Sequence, residues 1–290
     1  MLLRDVLIQY LAGRSLRSSS AEQLALACRS LDLFLGRPAL LSDLTAATLA
    51  AFLHAYLAHH AASTTNSKRR AILTLARWAS KRGLACQNCP ADVPTAREPR
   101  RIPLAWTVDE IERLVAAARG WPGCVGTIPA RLFWPSLFLA TYDTGCRIGA
   151  LRSARSIDLS MANRSLVIQP EATKTNVGCC YWLHDQTIAA IAGHYDLARE
   201  LVWPWPHCRR LFWTATRRIV EKAGLVADRR GMSLYHKIRR TCISYCATVD
   251  LALAQQQAGH SDARLTARCY IDPRIARRQS AVDVLPRPDL

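Results

Sequence analysis

The stretch SLYHKIRRTCISYC, residues 233–246, places a histidine and an arginine on one side of a predicted helix. His236 and Arg239 are three residues apart, so their side chains project from the same face and can bind one ligand. Arg240 points elsewhere, because adjacent helical positions do not share a face. An HxxR pair on a helix is by itself more often a surface feature than a site. Its meaning therefore depends on what accompanies it elsewhere in the chain.

The composition indicates a globular and strongly basic protein. The chain has 290 residues, 50% of them hydrophobic, which is enough for one large domain or two ordinary ones. It carries 39 Lys and Arg against 22 Asp and Glu, a formal net charge of +17. Such an excess favours a polyanionic partner, because each phosphate neutralised by Lys or Arg releases condensed counterions. A merely soluble basic protein and a binder of acidic membranes are the alternatives on charge alone.

No stretch of the sequence is predicted to enter or cross a membrane. The longest apolar run, LFWPSLFLATY at 132–142, has 11 residues and contains a proline, whereas a span needs about 20. Arg4, Asp5 and Gln9 interrupt the apolar N-terminus and spoil it as a signal-peptide core. We therefore expect a cytoplasmic protein.

The cysteines favour buried free thiols over disulfides. There are 11, an odd number, and they are scattered, several of them within predicted helices. Cys86 and Cys89 have metal-ligand spacing but no second pair at zinc-finger spacing, so they give only weak support for a zinc site. We expect no metal.

Apolar periodicity predicts a helical first domain over residues 1–84, made of four helices. A capping box, Ser19 with Glu22 or Ser20 with Gln23, is predicted to begin the second helix, and Gly36 to end it. The fourth helix, NSKRRAILTLARWASKRG at 66–83, places four apolar residues on one face and ends at Gly83. Those four residues are Ile72, Leu75, Ala76 and Ala79.

A linker and a second, mixed domain follow. Four prolines punctuate residues 85–104, which predicts an extended basic linker. From residue 105 to 290 helices are predicted near 108–118, 129–143, 147–154, 185–200, 208–223, 233–247, 249–257 and 263–270, the first beginning at a capping box of Thr107 and Glu110. The stretches SLVIQP (165–170) and CCYWLH (179–184), joined by a turn-like segment, predict a β-hairpin. The expected fold is mainly α with a small β-sheet.

Three further motifs accompany the HxxR pair. TGCRIGALR at 144–152 places Arg147 at the start of a helix, and ATKTN at 172–176 places Lys174 in the hairpin turn. AGHSDARLTARCYIDP at 258–273 contains His260 and Tyr270, ten residues apart. Each residue alone has an ordinary structural explanation: a solvated lysine, a loop histidine, a half-buried tyrosine. Their order along the chain is what distinguishes them.

This order, with its surrounding motifs, resembles the tyrosine recombinase (phage-type integrase) family over nearly the whole chain. Residues 1–84 resemble its four-helix, SAM-like core-binding domain, and residues from about 105 resemble its mixed α/β catalytic domain. The six matching catalytic positions are Arg147, Lys174, His236, Arg239, His260 and Tyr270.

The resemblance implies a site-specific recombinase that cleaves and rejoins DNA through a 3′-phosphotyrosine intermediate, with no metal, ATP or other cofactor. Tyr270 is the implied nucleophile, and Arg147 and Arg239 bind the non-bridging phosphate oxygens. His236 is the implied base, His260 hydrogen-bonds the phosphate, and Lys174 protonates the departing 5′-oxygen. The implied partner is double-stranded DNA with inverted-repeat core sites. The implied assembly is a homo-tetramer joined through the segment after Tyr270, in a nucleoid-associated protein.

Other basic residues are candidate DNA contacts. Seven of them lie on the fourth helix or in the linker, where a solvated face is the alternative, and the eighth follows the HxxR pair. The set is Lys68, Arg69, Arg70, Arg77, Lys81, Arg100, Arg101 and Arg240.

Three departures from the family pattern leave alternatives open. Ala150 stands where the family carries an acidic residue, Arg240 replaces a frequent histidine, and the interval from His260 to Tyr270 is about one residue long. Ala150 favours a catalytically weakened DNA-binding or architectural relative. A type IB topoisomerase uses similar catalytic groups, although the separate N-terminal helical domain disfavours it.

Overall fold

The computed structural model describes residues 1–84, 90, 92–99, 102–226 and 234–276. The backbone divides into two compact units, Met1–Arg100 and Arg101–Leu290. The expected architecture, mainly α with a small β-sheet, is confirmed. Among the described residues, no helix is both long enough and apolar enough for a membrane span.

Over residues 1–84, which are all described, the first unit has four α-helices: α1 (Leu3–Ala12), α2 (Ser18–Leu35), α3 (Ala46–His59) and α4 (Ala62–Lys81). Apolar side chains from all four form one core. The predicted inner face of α4 is buried, with Leu75 and Ala79 fully enclosed. Gly36 adopts φ +68° after α2, a left-handed conformation that a residue with a Cβ rarely adopts, and so ends the helix where predicted.

The predicted capping box of α2 is wrong. The helix begins at Ser18 with Arg17 at its cap position, and no side chain caps it. Ser19 and Ser20 consequently lie inside the first turn, where their hydroxyls cannot occupy the N-cap position.

The described part of the second unit contains eight α-helices: α5 (Val108–Arg119), α6 (Ala130–Thr144), α7 (Ile148–Leu151), α8 (Asp185–Ala192), α9 (Arg209–Lys222), α10 (Leu234–Val249), α11 (Leu251–Ala258) and α12 (Ala263–Cys269). The capping box of α5 is confirmed: Thr107 Oγ1 accepts a hydrogen bond from Glu110 N at 3.2 Å, and Glu110 Oε2 accepts one from Thr107 N at 2.8 Å. The buried α6 lies at the centre of the core and carries Phe133, Trp134 and Phe138.

The helix predicted over 185–200 is too long, because α8 ends at Ala192. Beyond Gly193 the chain is held by tertiary hydrogen bonds instead. His194 Nε2 lies 2.7 Å from Ser136 Oγ on α6, and the carbonyl of Glu200 accepts from Ser156 N at 2.9 Å. The helix predicted over 147–154 is likewise only one turn, α7.

Among its described residues, the second unit also has two small antiparallel sheets. β1 (Cys124–Val125) pairs with β2 (Ile128–Pro129), and β3 (Leu159–Ser160), β4 (Ser165–Ile168) and β5 (Cys179–Trp182) form a three-stranded sheet in that order. The predicted hairpin is β4–β5, with Leu166 opposite Tyr181. Its inner side chains, including Leu166 and Ile168, are buried in the core, so the connection carrying Lys174 extends from a fixed base.

Candidate active site

Arg239, on α10, is a buried guanidinium held by backbone carbonyls. Only 2% of the residue is exposed. Its side chain donates to the carbonyl of Gly145 and, from the second terminal nitrogen, to the carbonyl of Ala258 at 2.6 Å. These two hydrogen bonds orient the guanidinium fork without neutralising its charge.

The turn before α7 sets the position of Arg147. Gly145 ends α6 at φ +58°, and a Cβ at this position would lie 3.1 Å from Cys242 Sγ, so glycine is required both by conformation and by packing. Gln257 Nε2 donates to the carbonyls of Asp143 and Thr144, each at 2.9 Å, and ties this turn to α11. Arg147 follows as the N-cap residue of α7.

Arg147, Lys174 and Arg239 line one small cavity of about 40 Å³. Lys174 is exposed and lies in the β4–β5 connection. Ala150 is buried in the wall of the same cavity, where its methyl group supplies no charge. No carboxylate lines the cavity within the part of the chain that the structure describes, so its electrostatic character is cationic.

His260 and Tyr270 converge through a turn and a short helix. Gly259 ends α11 at φ +58°, and Asp262 begins α12 by accepting a hydrogen bond from Arg264 N at 2.8 Å. Tyr270 lies at the end of α12, with its ring centroid 4.7 Å from that of His260. The Arg239 Cζ atom lies 5.0 Å from the Tyr270 ring centroid. The ten-residue interval therefore brings the two rings into contact.

Both histidines are held in the neutral form at pH 7. Burial, followed by the charges of Arg239 and Arg147, lowers the pKa of His260 to about 4. His236, on α10, is exposed, yet the surrounding protein atoms partly desolvate its ring. This desolvation and the charges of Arg239, Arg240 and Arg147 lower the pKa of His236 as well. A neutral imidazole can accept a proton, which a base requires.

Comparison with known proteins bears on the identity of this arrangement. The model of the phage integrase family matches residues 106–277, more than half of the chain and all of the candidate catalytic positions. The chain belongs to this family of tyrosine recombinases. No curated protein gives a significant match by sequence.

Solved structures share the fold of the recombinase at low sequence identity. A lambda integrase dimer bound to a COC′ core site matches with a TM-score of 0.73 and 19% identity, covering 97% of this chain and 98% of that one. The Tn1549 transposon integrase in complex with transposon right end DNA matches with a TM-score of 0.71 and 11% identity, covering 98% and 97%. XerH recombinase bound to palindromic difH substrate gives 0.63 and 17%, covering 85% and 74%.

The candidate DNA-binding residues of the recombinase divide by exposure. Arg70, Arg77 and Lys81 are exposed on α4, and their spacing of seven and four residues places them along one stripe. Lys68 does not belong to that stripe. It is buried, with its ammonium 5.9 Å from the Tyr56 ring centroid, and desolvation lowers its pKa.

The remaining basic candidates are engaged or lie elsewhere. Arg69 is half-buried and donates from Nε to the carbonyl of Val93 at 2.9 Å. Arg240 is half-buried beside the carbonyl of Leu104. Arg100 and Arg101 lie outside the described residues, as do Cys86 and Cys89.

Several residues that support the site were not predicted from the sequence. Asp272, fully buried, accepts from Ala105 N at 2.7 Å and from Arg274 at 2.6 Å. Burial opposes its ionisation, but the hydrogen bonds from Arg274 and from backbone N–H groups lower its pKa to about 2. Ser244 Oγ donates to the carbonyl of Tyr270 at 3.2 Å and accepts from Asp272 N at 2.8 Å. An aspartate two residues after the tyrosine was the only signal in the sequence.

Proposed function

We propose that the recombinase is site-specific and cleaves and rejoins DNA through a 3′-phosphotyrosine intermediate, without metal or ATP. The observation that carries the proposal is the position of Tyr270, whose ring lies 5.0 Å from the Arg239 guanidinium carbon and 4.7 Å from the His260 ring. A tyrosine hydroxyl that attacks a phosphodiester would be expected in this environment, beside a buried guanidinium and a neutral imidazole.

Cationic groups in the cavity would bind the reacting phosphate. Arg147 and Arg239 would donate to its two non-bridging oxygens, where negative charge grows as the tyrosine attacks. Two features of Arg239 support this role. Its Nε has no hydrogen-bond partner among the described residues, and its anchoring carbonyls leave the positive charge available. One preorganised donor of this type contributes about 3 kcal/mol to transition-state stabilisation.

Proton transfers would complete the exchange of bonds. His236, neutral at pH 7, would take the phenol proton as the Tyr270 oxygen forms its bond to phosphorus. Lys174 would give a proton to the 5′-oxygen as the bond from phosphorus to that oxygen breaks. The phosphodiester bond is replaced by a phosphotyrosine bond, so strand joining needs no ATP. His260 would hydrogen-bond a phosphate oxygen.

The first unit and the basic stripe of α4 would bind the DNA outside the cleavage point. Lambda integrase has been solved as a dimer on a core site and as a tetramer on a Holliday junction, and the second structure matches this chain with a TM-score of 0.70. By analogy, residues 1–84 would act as a core-binding domain, residues 85–104 as a linker and residues 105–290 as the catalytic domain. The substrate would be a duplex with inverted-repeat core sites, bound by a tetramer.

The decisive experiment is trapping of the covalent intermediate. The protein is incubated in EDTA with a nicked suicide duplex that carries its selected binding site, and the reaction is resolved under denaturing conditions. Wild type should form a protein–DNA adduct and Tyr270→Phe should not. Tyr245→Phe is the matched control, because Tyr245 is an exposed tyrosine on α10 and should still form the adduct.

Ala150 favours one second candidate, a DNA-binding relative with weakened catalysis. In that case wild type would bind the duplex without forming an adduct. Relaxation of plasmids that lack any selected site would instead indicate a topoisomerase. Either result would overturn the proposed function.

A further inference from the structure

Thr266 lies between the candidate nucleophile and the candidate phosphate-binding histidine. It is fully buried in α12, and its Oγ1 lies 2.9 Å from His260 Nδ1. Its carbonyl accepts a hydrogen bond from Tyr270 N at 3.0 Å, one helical turn later. One side chain and its backbone thus contact both residues, and His260 cannot be placed independently of α12.

The partner on the other side of the imidazole fixes its tautomer in the free protein. Arg239 can only donate, and one of its terminal nitrogens lies 3.3 Å from His260 Nε2. A neutral imidazole therefore accepts through Nε2 and carries its proton on Nδ1. That proton is donated to Thr266 Oγ1, the partner of Nδ1.

A bound phosphate reverses this requirement. With a phosphate oxygen bound beside Arg239, His260 would have to present an N–H from Nε2 to that oxygen. A neutral imidazole can do so only if Nδ1 becomes an acceptor, with one proton lost from Nδ1 to solvent and one gained at Nε2. A threonine hydroxyl serves both states, since it can accept from Nδ1–H or rotate and donate to Nδ1.

We propose that Thr266 is a positioning residue that orients His260 and lets it exchange tautomers, so that the neutral histidine can donate to the phosphate. The part of this inference that concerns donation to the phosphate rests on the proposed cleavage reaction. The part that places the proton on His260 Nδ1 concerns the free protein alone.

The first measurement needs no DNA. In full-length protein labelled with ¹⁵N-histidine, imidazole nitrogen shifts distinguish the two neutral tautomers, and the His260 signals are assigned by their loss in His260→Gln. We expect the Nδ1–H tautomer at pH 7. Finding Nε2–H in the free wild-type protein would overturn the inference, whether or not the protein cleaves DNA.

The second measurement compares Thr266→Val, which keeps the shape and loses the hydroxyl, with Thr266→Ser, which keeps the hydroxyl. The rate of adduct formation on the suicide duplex should fall about tenfold to a hundredfold in Thr266→Val, the range for loss of an orienting partner. Thr266→Ser should stay within a few-fold of wild type. Equal losses in the two variants, with thermal unfolding recorded for both, would show a purely structural role and overturn the inference.

A pH series adds a signature that mere destabilisation lacks. An imidazolium donates from Nε2 without any tautomer exchange, so the rate deficit of Thr266→Val should narrow as the pH falls toward the pKa of His260, which is about 4 in the free protein. The groups facing His260 are Arg239 on α10, Arg147 before α7, and Thr266 and Tyr270 of α12 and its end. A ratio of wild-type to Thr266→Val rates that is constant with pH would count against the proposal. If wild type forms no adduct at all, the proposed cleavage reaction fails instead. The tautomer measurement would still test the contact between His260 and Thr266.

Discussion

Lys174 differs from Arg239 in how its position is fixed. Arg239 is buried and anchored by two carbonyls, whereas Lys174 lines the same cavity from an exposed position in the β4–β5 connection. An exposed ammonium is suited to transferring a proton to a leaving group that solvent also reaches. A buried guanidinium is suited to stabilising charge that does not leave.

This difference predicts a selective rescue of Lys174→Ala. On ordinary DNA the cleavage rate of the variant should fall by about 10²- to 10⁴-fold, the usual contribution of general acid catalysis. On DNA with sulfur at the bridging 5′ position most of the rate should return, because a thiolate leaves without a proton. The measurement is the single-turnover rate of adduct formation on both substrates.

Arg147→Ala is the matched control for that experiment. It removes a charge from the same cavity, but its proposed role is to stabilise the non-bridging oxygens, which the sulfur substitution does not change. Its defect should therefore be similar on both substrates. Equal rescue of the two variants would contradict the assignment of Lys174 as the acid.

At the residue scale the sequence predicted side chains better than it predicted their partners. The six candidate positions could be recognised because Arg, Lys, His and Tyr carry the chemistry and occur in a specific order. Arg239 donates to the backbone carbonyls of Gly145 and Ala258. Since every residue has a backbone carbonyl, the residue types at these positions do not indicate that role. Thr266 was missed for a related reason: a lone threonine in a helix has many ordinary explanations.

At the element scale, two local signals succeeded, although the predicted capping box of α2 did not. The capping box at Thr107 and the glycine that ends α2 were predicted correctly. The end of α8 was not, because the chain after Gly193 is determined by a contact of His194 with Ser136, 58 positions earlier. Periodicity cannot report such a contact.

The helix α4 shows how register separates one basic residue from the next. Lys68 faces inward beside Tyr56, whereas Arg70, two positions later, is exposed together with Arg77. Neutralising the exposed pair, Arg70→Ala with Arg77→Ala, should weaken DNA binding and lower the salt dependence of the binding constant. The slope of log K against log salt should fall by about 0.9 for each phosphate that the protein no longer neutralises.

Titration of labelled DNA at several salt concentrations would measure that slope. The control is Arg4→Ala with Arg29→Ala, which removes the same charge from exposed positions on α1 and α2. If both pairs changed the slope equally, the effect would come from net charge and not from the stripe on α4.

At the scale of the whole molecule, the start of the C-terminal segment is tied by hydrogen bonds to other residues of the second unit. Arg274 donates hydrogen bonds to the carboxylate of the buried Asp272 and to the carbonyl of Ala105. Asp272 in turn accepts a hydrogen bond from Ala105 N. The segment after Tyr270 therefore first returns to the residues that precede α5. Residues 277–290 lie beyond this anchor and outside the described residues, so they can be removed without deleting the Asp272–Arg274 contacts.

Deleting residues 277–290 should separate assembly from chemistry. If this segment joins neighbouring protomers, the truncated protein should bind a duplex with a single core site as wild type does. It should lose cooperative binding to a duplex with two inverted sites, because a bound first protomer would no longer contact the second and increase its affinity. Since Tyr270, His260 and Arg239 contact one another within one chain, adduct formation on a single site should persist.

Gel-shift titrations on both duplexes measure the cooperativity. A full-length Arg277→Ala, Arg278→Ala variant controls for the removal of charge, and unchanged cooperativity in the truncated protein would place the protomer contact elsewhere.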